Sequence, residues 1–130
     1  MIVLDASVVV ELLTNRELSH SIRRELVLSG QSFAVPHLLD VEVASALRNL
    51  TAGGRIDSHR ADEYLHDLAM LPAERFPHSP LFGRVWELRH NFTVYDAVYI
   101  ALAEAIDATL YTTDVKLRRG HRARVIVIAN

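Results

Sequence analysis

The sequence predicts an α/β domain, a central parallel sheet of about five strands flanked by helices on both faces. Three observations lead there. Short apolar runs at 2–4, 32–35, 73–76, 109–112 and 125–128 alternate with segments of helical period, the order that builds parallel strands joined by right-handed crossovers. The first of these runs, Ile2-Val3-Leu4, is unbroken in the manner of a strand buried on both sides. The chain has 130 residues, half of them hydrophobic and 23% charged, with only five Gly and four Pro, the balance of one compact domain spanning 1–130. That length lets a domain bury roughly two thirds of the surface its unfolded chain exposes.

Each element has its own local reason. After the first strand, Ala6 to Thr14 reads as a helix despite the β-branched Val8-Val9-Val10, and Asn15-Arg16 breaks it. Ser19 opens a second helix that stops at Gly30 as a C-cap glycine. Beyond Pro36, Leu39, Val43, Ala46, Leu47 and Leu50 line one face of a helix from Leu38 to Ala52, ended by Gly53-Gly54. Asp57 to Met70 forms the next, with Ala61, Tyr64, Leu65, Leu68 and Ala69 as its apolar side, and Pro72 prevents continuation. Ser79-Pro80 is an N-cap followed by proline, opening a helix towards Leu88. Thr93 opens another that runs to about Asp107, just before the fourth strand.

Composition excludes whole classes of chemistry. No Cys is present, so disulfides, thiolate nucleophiles, thiolate metal sites and iron–sulfur clusters are all ruled out. No apolar stretch approaches the ~20 residues that cross a bilayer, and the N-terminus carries no export signal, so a cytoplasmic location is expected. The seven His are scattered without an HExxH pattern, and there is no GxGxxG after the first strand, no Walker A loop and no GxSxG. The formal net charge of -2 makes the whole protein no nucleic-acid magnet. Locally the balance differs, since Lys116, Arg118, Arg119, Arg122 and Arg124 follow directly after Asp114. A solvated face is the plain reading of such a run; its place beside a carboxylate suggests phosphate contacts.

Two aspartates stand where apolar runs stop, Asp5 after the first strand and Asp114 after the fourth. In a parallel sheet both emerge at the carboxyl edge, where open α/β proteins bind ligands. Asp5, Asp96 and Asp114 each also sit near a helix start and could act as caps, with Thr93-x-x-Asp96 resembling a capping box. Glu42 is mid-helix and has no capping role. At ~100° per residue it lies roughly 80° from the centre of the apolar face, and Asp40 lies at a similar angle on the other shoulder, so periodicity leaves the choice between them open. Carboxylates gathered in a partly buried pocket repel one another by several kcal/mol per close pair at an effective dielectric of about 20. Protons or a divalent cation relieve that repulsion, and an all-oxygen set suits Mg²⁺ or Mn²⁺ better than Zn²⁺.

Leu4-Asp5-Ala6-Ser7, the Glu42 helix, Tyr95-Asp96-Ala97-Val98-Tyr99-Ile100-Ala101-Leu102-Ala103 and Leu110-Tyr111-Thr112-Thr113-Asp114 together resemble a PIN domain. More narrowly, the chain resembles the VapC-type ribonuclease toxins of bacterial and archaeal toxin–antitoxin pairs, over essentially its whole length. The resemblance selects Glu42 over Asp40 and implies a catalytic quartet of Asp5, Glu42, Asp96 and Asp114. It implies Asp5 and Asp96 as principal ligands of Mg²⁺ or Mn²⁺, Asp114 binding directly or through water, and Glu42 orienting a water. Ser7 and Thr113 would support the site, and Lys116, Arg118 and Arg119 would meet RNA. It further implies a homodimer and a cognate antitoxin, in a heterotetramer or larger assembly, with Leu12, Leu13 and Leu26 contributing to the antitoxin's groove. Two other readings fit a small α/β fold with acids at strand ends: a receiver-like phospho-signalling domain using Lys116, and a non-catalytic RNA-binding protein of PIN type.

Overall fold

The computed structural model describes residues 1–129 and has the expected α/β architecture. Five strands, β1 (Ile2–Leu4), β2 (Phe33–Pro36), β3 (Ala73–Phe76), β4 (Thr109–Thr112) and β5 (Val125–Val127), form one sheet in the order β3-β2-β1-β4-β5. Every neighbouring pair is parallel. Six helices connect them: α1 (Ala6–Thr14), α2 (Ser19–Ser29), α3 (Leu38–Ala52), α4 (Ser58–Ala69), α5 (Phe82–Glu87) and α6 (Val94–Ala105). All three residues of β1 are fully buried, so both faces of the sheet are covered at its centre.

Local chemistry sets the element ends. The Asp5 side chain accepts from the Val8 N–H, and this cap starts α1 in spite of three successive valines. Asn15, in the left-handed region at φ 51°, ends it. Gly30 ends α2 in the same way, and Asp57 caps α4 by accepting from the His59 N–H. Several boundaries differ from the sequence reading by a residue or two, and three differences matter for the chain path. β2 reaches Pro36, because β1 pairs with β2 only through Ile2 and Val3, leaving no β1 partner that would need the proline's missing N–H. Ser79–Leu81 is a 3-10 turn before α5, and a second such turn, Val115–Arg118, follows Asp114. In α4, Leu65 is largely exposed while Tyr64 and Leu68 carry the buried face.

The strand order creates the site. From central β1 the chain builds outward through β2 and β3, then returns to the other side of β1 with β4. The reversal opens a crevice between the carboxyl ends of β1 and β4. Leu4 is level with Tyr111 in that pairing, so Asp5 and Thr112 come next, side by side at the rim. Among the described residues no helix is long and apolar enough to cross a membrane.

Candidate active site

Asp5 is the fixed point of the crevice. It is 6% exposed, and both its oxygens are held. Oδ1 accepts the Ser7 hydroxyl at 2.6 Å and the Val8 N–H at 3.1 Å, while Oδ2 accepts the Thr112 hydroxyl. The Thr112 Oγ1 in turn accepts the Asp114 N–H at 3.0 Å, and the Ser7 Oγ accepts the Thr113 N–H at 3.1 Å. These bonds tie the start of α1 to the end of β4. A carboxylate offers about four lone-pair positions, so one of them, on Oδ2, stays open for another donor or a cation.

Of three further acids on separate elements, Asp96 and Glu42 interact with the charge of Asp5, and Asp114 acts on Asp96. Glu42 comes from α3, Asp96 from the first turn of α6, and Asp114 from the end of β4. Burial, foremost, raises the carboxyl of Asp5 above its ordinary range; its three hydrogen bonds oppose the shift and the charge of Asp96 adds to it. Glu42 is raised mainly by burial, with the Tyr99 hydroxyl opposing and Asp96 and Asp5 reinforcing. Asp96 is raised by burial and then by Asp114, against Thr93 and Lys116. Asp5, Glu42 and Asp96 are therefore near neighbours, with Asp114 beside Asp96. Among the described residues, no three of them close on a single point as a finished metal cage. The donor set nevertheless fits a hard divalent cation: it is oxygen alone, every group is at least partly buried, and burial with the neighbouring acids holds Asp5, Glu42 and Asp96 towards their protonated forms.

The caps and the site are the same residues in two cases. Asp5 caps α1 through Oδ1, and Asp114 caps the 3-10 turn by accepting the Lys116 N–H at 2.9 Å. Asp96 differs. Thr93 caps α6 by accepting the Asp96 N–H at 3.1 Å, and among the described residues no reciprocal bond from the Thr93 N–H to the Asp96 carboxylate closes a capping box.

Asp40, on the opposite shoulder of α3, is committed elsewhere. It takes a bidentate bond from Arg75 of β3, Nε to Oδ2 at 2.8 Å and Nη2 to Oδ1 at 3.0 Å. The basic run divides as well. Arg122 reaches Glu104, and Arg124 bonds Asp107 at 3.0 Å, both at the far end of α6. Lys116, Arg118 and Arg119 are exposed and form no ion pair among the described residues, and Lys116 lies close enough to act on Asp96.

Two residues that the sequence did not single out belong to the site. Thr112, fully buried, supplies the hydroxyl that holds Asp5, whereas Thr113 contributes its backbone N–H. Recognising Thr112 requires the β1–β4 register, which no local pattern encodes. Tyr99, three residues after Asp96, brings its hydroxyl up to Glu42; the spacing from Asp96 was the available signal.

The sequence profile of the PIN domain family matches residues 2–122. The chain belongs to the PIN domain family. Among relatives, Ribonuclease VapC1 of Mycobacterium tuberculosis (strain ATCC 25618 / H37Rv) is 44% identical over 116 residues, 88% of this chain and 86% of that protein. Ribonuclease VapC12 of the same strain is 35% identical over 131 residues, covering 99% and 100%. A solved toxin–antitoxin complex from Klebsiella pneumoniae contains a chain of the same fold, with TM-score 0.69 and 17% identity over 97% of this chain and 96% of that one. PIN membership leaves the receiver-like reading without support.

Proposed function

We propose that this PIN domain protein is a ribonuclease of the VapC kind, the toxin of a toxin–antitoxin pair, and that it hydrolyses RNA phosphodiester bonds in the β1–β4 crevice. The observation that carries this reading is the meeting of Asp5, Glu42 and Asp96, from positions far apart in the chain, as one buried and two partly buried acids with raised carboxyls at one sheet edge. The substrate class comes from the two VapC relatives, which are named ribonucleases and align over most of their length.

Asp5, through its open lone-pair position, and Asp96 would hold Mg²⁺ or Mn²⁺, with Asp114 at the rim binding directly or through water. When bound, such a cation brings positive charge to the scissile phosphate and makes water acidic enough to attack at neutral pH. The remaining work is done by the chain. Ser7 and Thr112 hold Asp5 in one orientation, so the acceptor geometry is set before substrate arrives. Glu42, a stronger base in its ionised form because burial raises its carboxyl, accepts the proton of the attacking water. Lys116, Arg118 and Arg119, exposed on the flank, neutralise neighbouring phosphates of the strand.

A cognate antitoxin would restrain this activity. An apolar groove lined by Leu12, Leu13, Leu26, Val27, Phe33 and Leu71 offers it a seat, and Val27 is 78% exposed there. The toxin itself would pair as a homodimer and enter heterotetramers or larger assemblies with the antitoxin. RNA cleavage with Mg²⁺ or Mn²⁺ and with chelator tests the reading. Asp5→Asn and Glu42→Gln should abolish cleavage while Asp40→Asn leaves it; an Asp5→Asn protein that cleaves as the wild type does would sink the mechanism.

A further inference from the structure

One buried side-chain polar atom among the described residues lacks a hydrogen-bond partner, the hydroxyl of Tyr99. Tyr99 is 2% exposed in the middle of α6. A buried hydroxyl that makes no bond is a net loss to the fold, and such atoms are few in native proteins, so this one calls for a reason.

Its surroundings supply one. Tyr99 lies one helical turn beyond Asp96 on the same side of α6, and its hydroxyl faces the Glu42 carboxylate of α3 without closing a bond to it. Burial first, then the neighbouring Glu42 carboxylate as acceptor and as charge, then the charges of Asp5 and Asp96, keep the phenol protonated. It is therefore a permanent donor. Among the described residues it is also the one donor that acts on the Glu42 carboxylate. Asp5 is clamped by three bonds, whereas Glu42 stands at the end of a longer, rotatable side chain with nothing else to orient it.

The geometry points to Tyr99 as a positioning residue: its hydroxyl donates to the ionised Glu42 carboxylate and fixes which oxygen of that carboxylate turns to the reacting water. One helix then delivers both Asp96 and the group that orients Glu42. The inference rests on the nuclease reading above.

Tyr99→Phe keeps the packing and removes only the donor. In RNA cleavage it should lower kcat by about ten- to a hundredfold, the value of a hydrogen bond to a charged group, with KM unchanged. Melting of the cation-free protein gives a second readout: the shift caused by Tyr99→Phe should differ between the wild-type and Glu42→Ala backgrounds, because the acceptor is gone in the latter. Full activity of Tyr99→Phe, equal melting shifts in the two backgrounds, or loss of folding in Tyr99→Phe would each overturn the proposal, the last by assigning the hydroxyl to the core. If the wild type shows no cation-dependent cleavage, the nuclease reading fails instead, and the melting comparison still decides whether Tyr99 engages Glu42.

Discussion

At the scale of single residues, the crevice trades stability for chemistry. Asp96 and Glu42 have carboxyls raised above their ordinary values of 3.8 and 4.5, each chiefly by burial. A raised carboxyl contributes stability below its unfolded value and loses it as pH climbs through the folded one. Without cation, Asp96→Asn and Glu42→Gln should therefore melt a few degrees higher than wild type at pH 7 and show little gain near pH 4. A calorimetric scan at both pH values checks this, and variants that melt lower at pH 7 would contradict it. Thr112 works in the other direction. Thr112→Val removes the donor to a buried carboxylate, so it should cost about 1.5–3 kcal/mol and depress cleavage, measured by denaturant unfolding and RNA assay together.

At the scale of elements, α3 and the turn after β4 each carry two kinds of charge with separate duties. Asp40 and Glu42 are two residues apart, yet Asp40 anchors α3 to β3 through Arg75 while Glu42 faces the crevice. The Arg75–Asp40 pair is only partly buried, so Asp40→Asn should cost about 0.5–1 kcal/mol of stability and leave cleavage intact. In the turn Val115–Arg118 and the residue after it, Arg118 and Arg119 form no ion pair among the described residues, unlike Arg122 and Arg124. Arg118→Gln with Arg119→Gln should weaken RNA binding and flatten its salt dependence by about 1.4 in the slope of log K against log salt. An unchanged slope would place the RNA elsewhere. Element ends were legible in the sequence where their signals are local: Asp5, Asn15, Gly30 and Thr93 start or stop helices as their residue types predict. The choice between Asp40 and Glu42 was not, since a helical wheel cannot know that Arg75 waits on one shoulder.

At the scale of the whole molecule, strand order makes the site. Asp5 and Asp114 could be placed at one edge from sequence because parallel strands share a direction. Which strand adjoins β1 had to come from the structure, and with it came Thr112, whose importance depends wholly on the β1–β4 register. Tyr99 was hidden for a similar reason: in a helix buried from Ala97 to Ala103, an aromatic residue reads as core until α3 is seen to bring Glu42 against it. The same convergence makes the cation question one of global stability. A ligand that binds only the folded state stabilises it by mass action, by about 2.7 kcal/mol at a hundred times its Kd. The most direct measurement is the melting temperature at pH 7 with and without Mn²⁺, for wild type, Asp96→Asn and Asp40→Asn. The account predicts that Mn²⁺ raises the melting temperature of wild type and Asp40→Asn by several degrees and that of Asp96→Asn hardly at all; an equal rise in all three, or none in wild type, would contradict it.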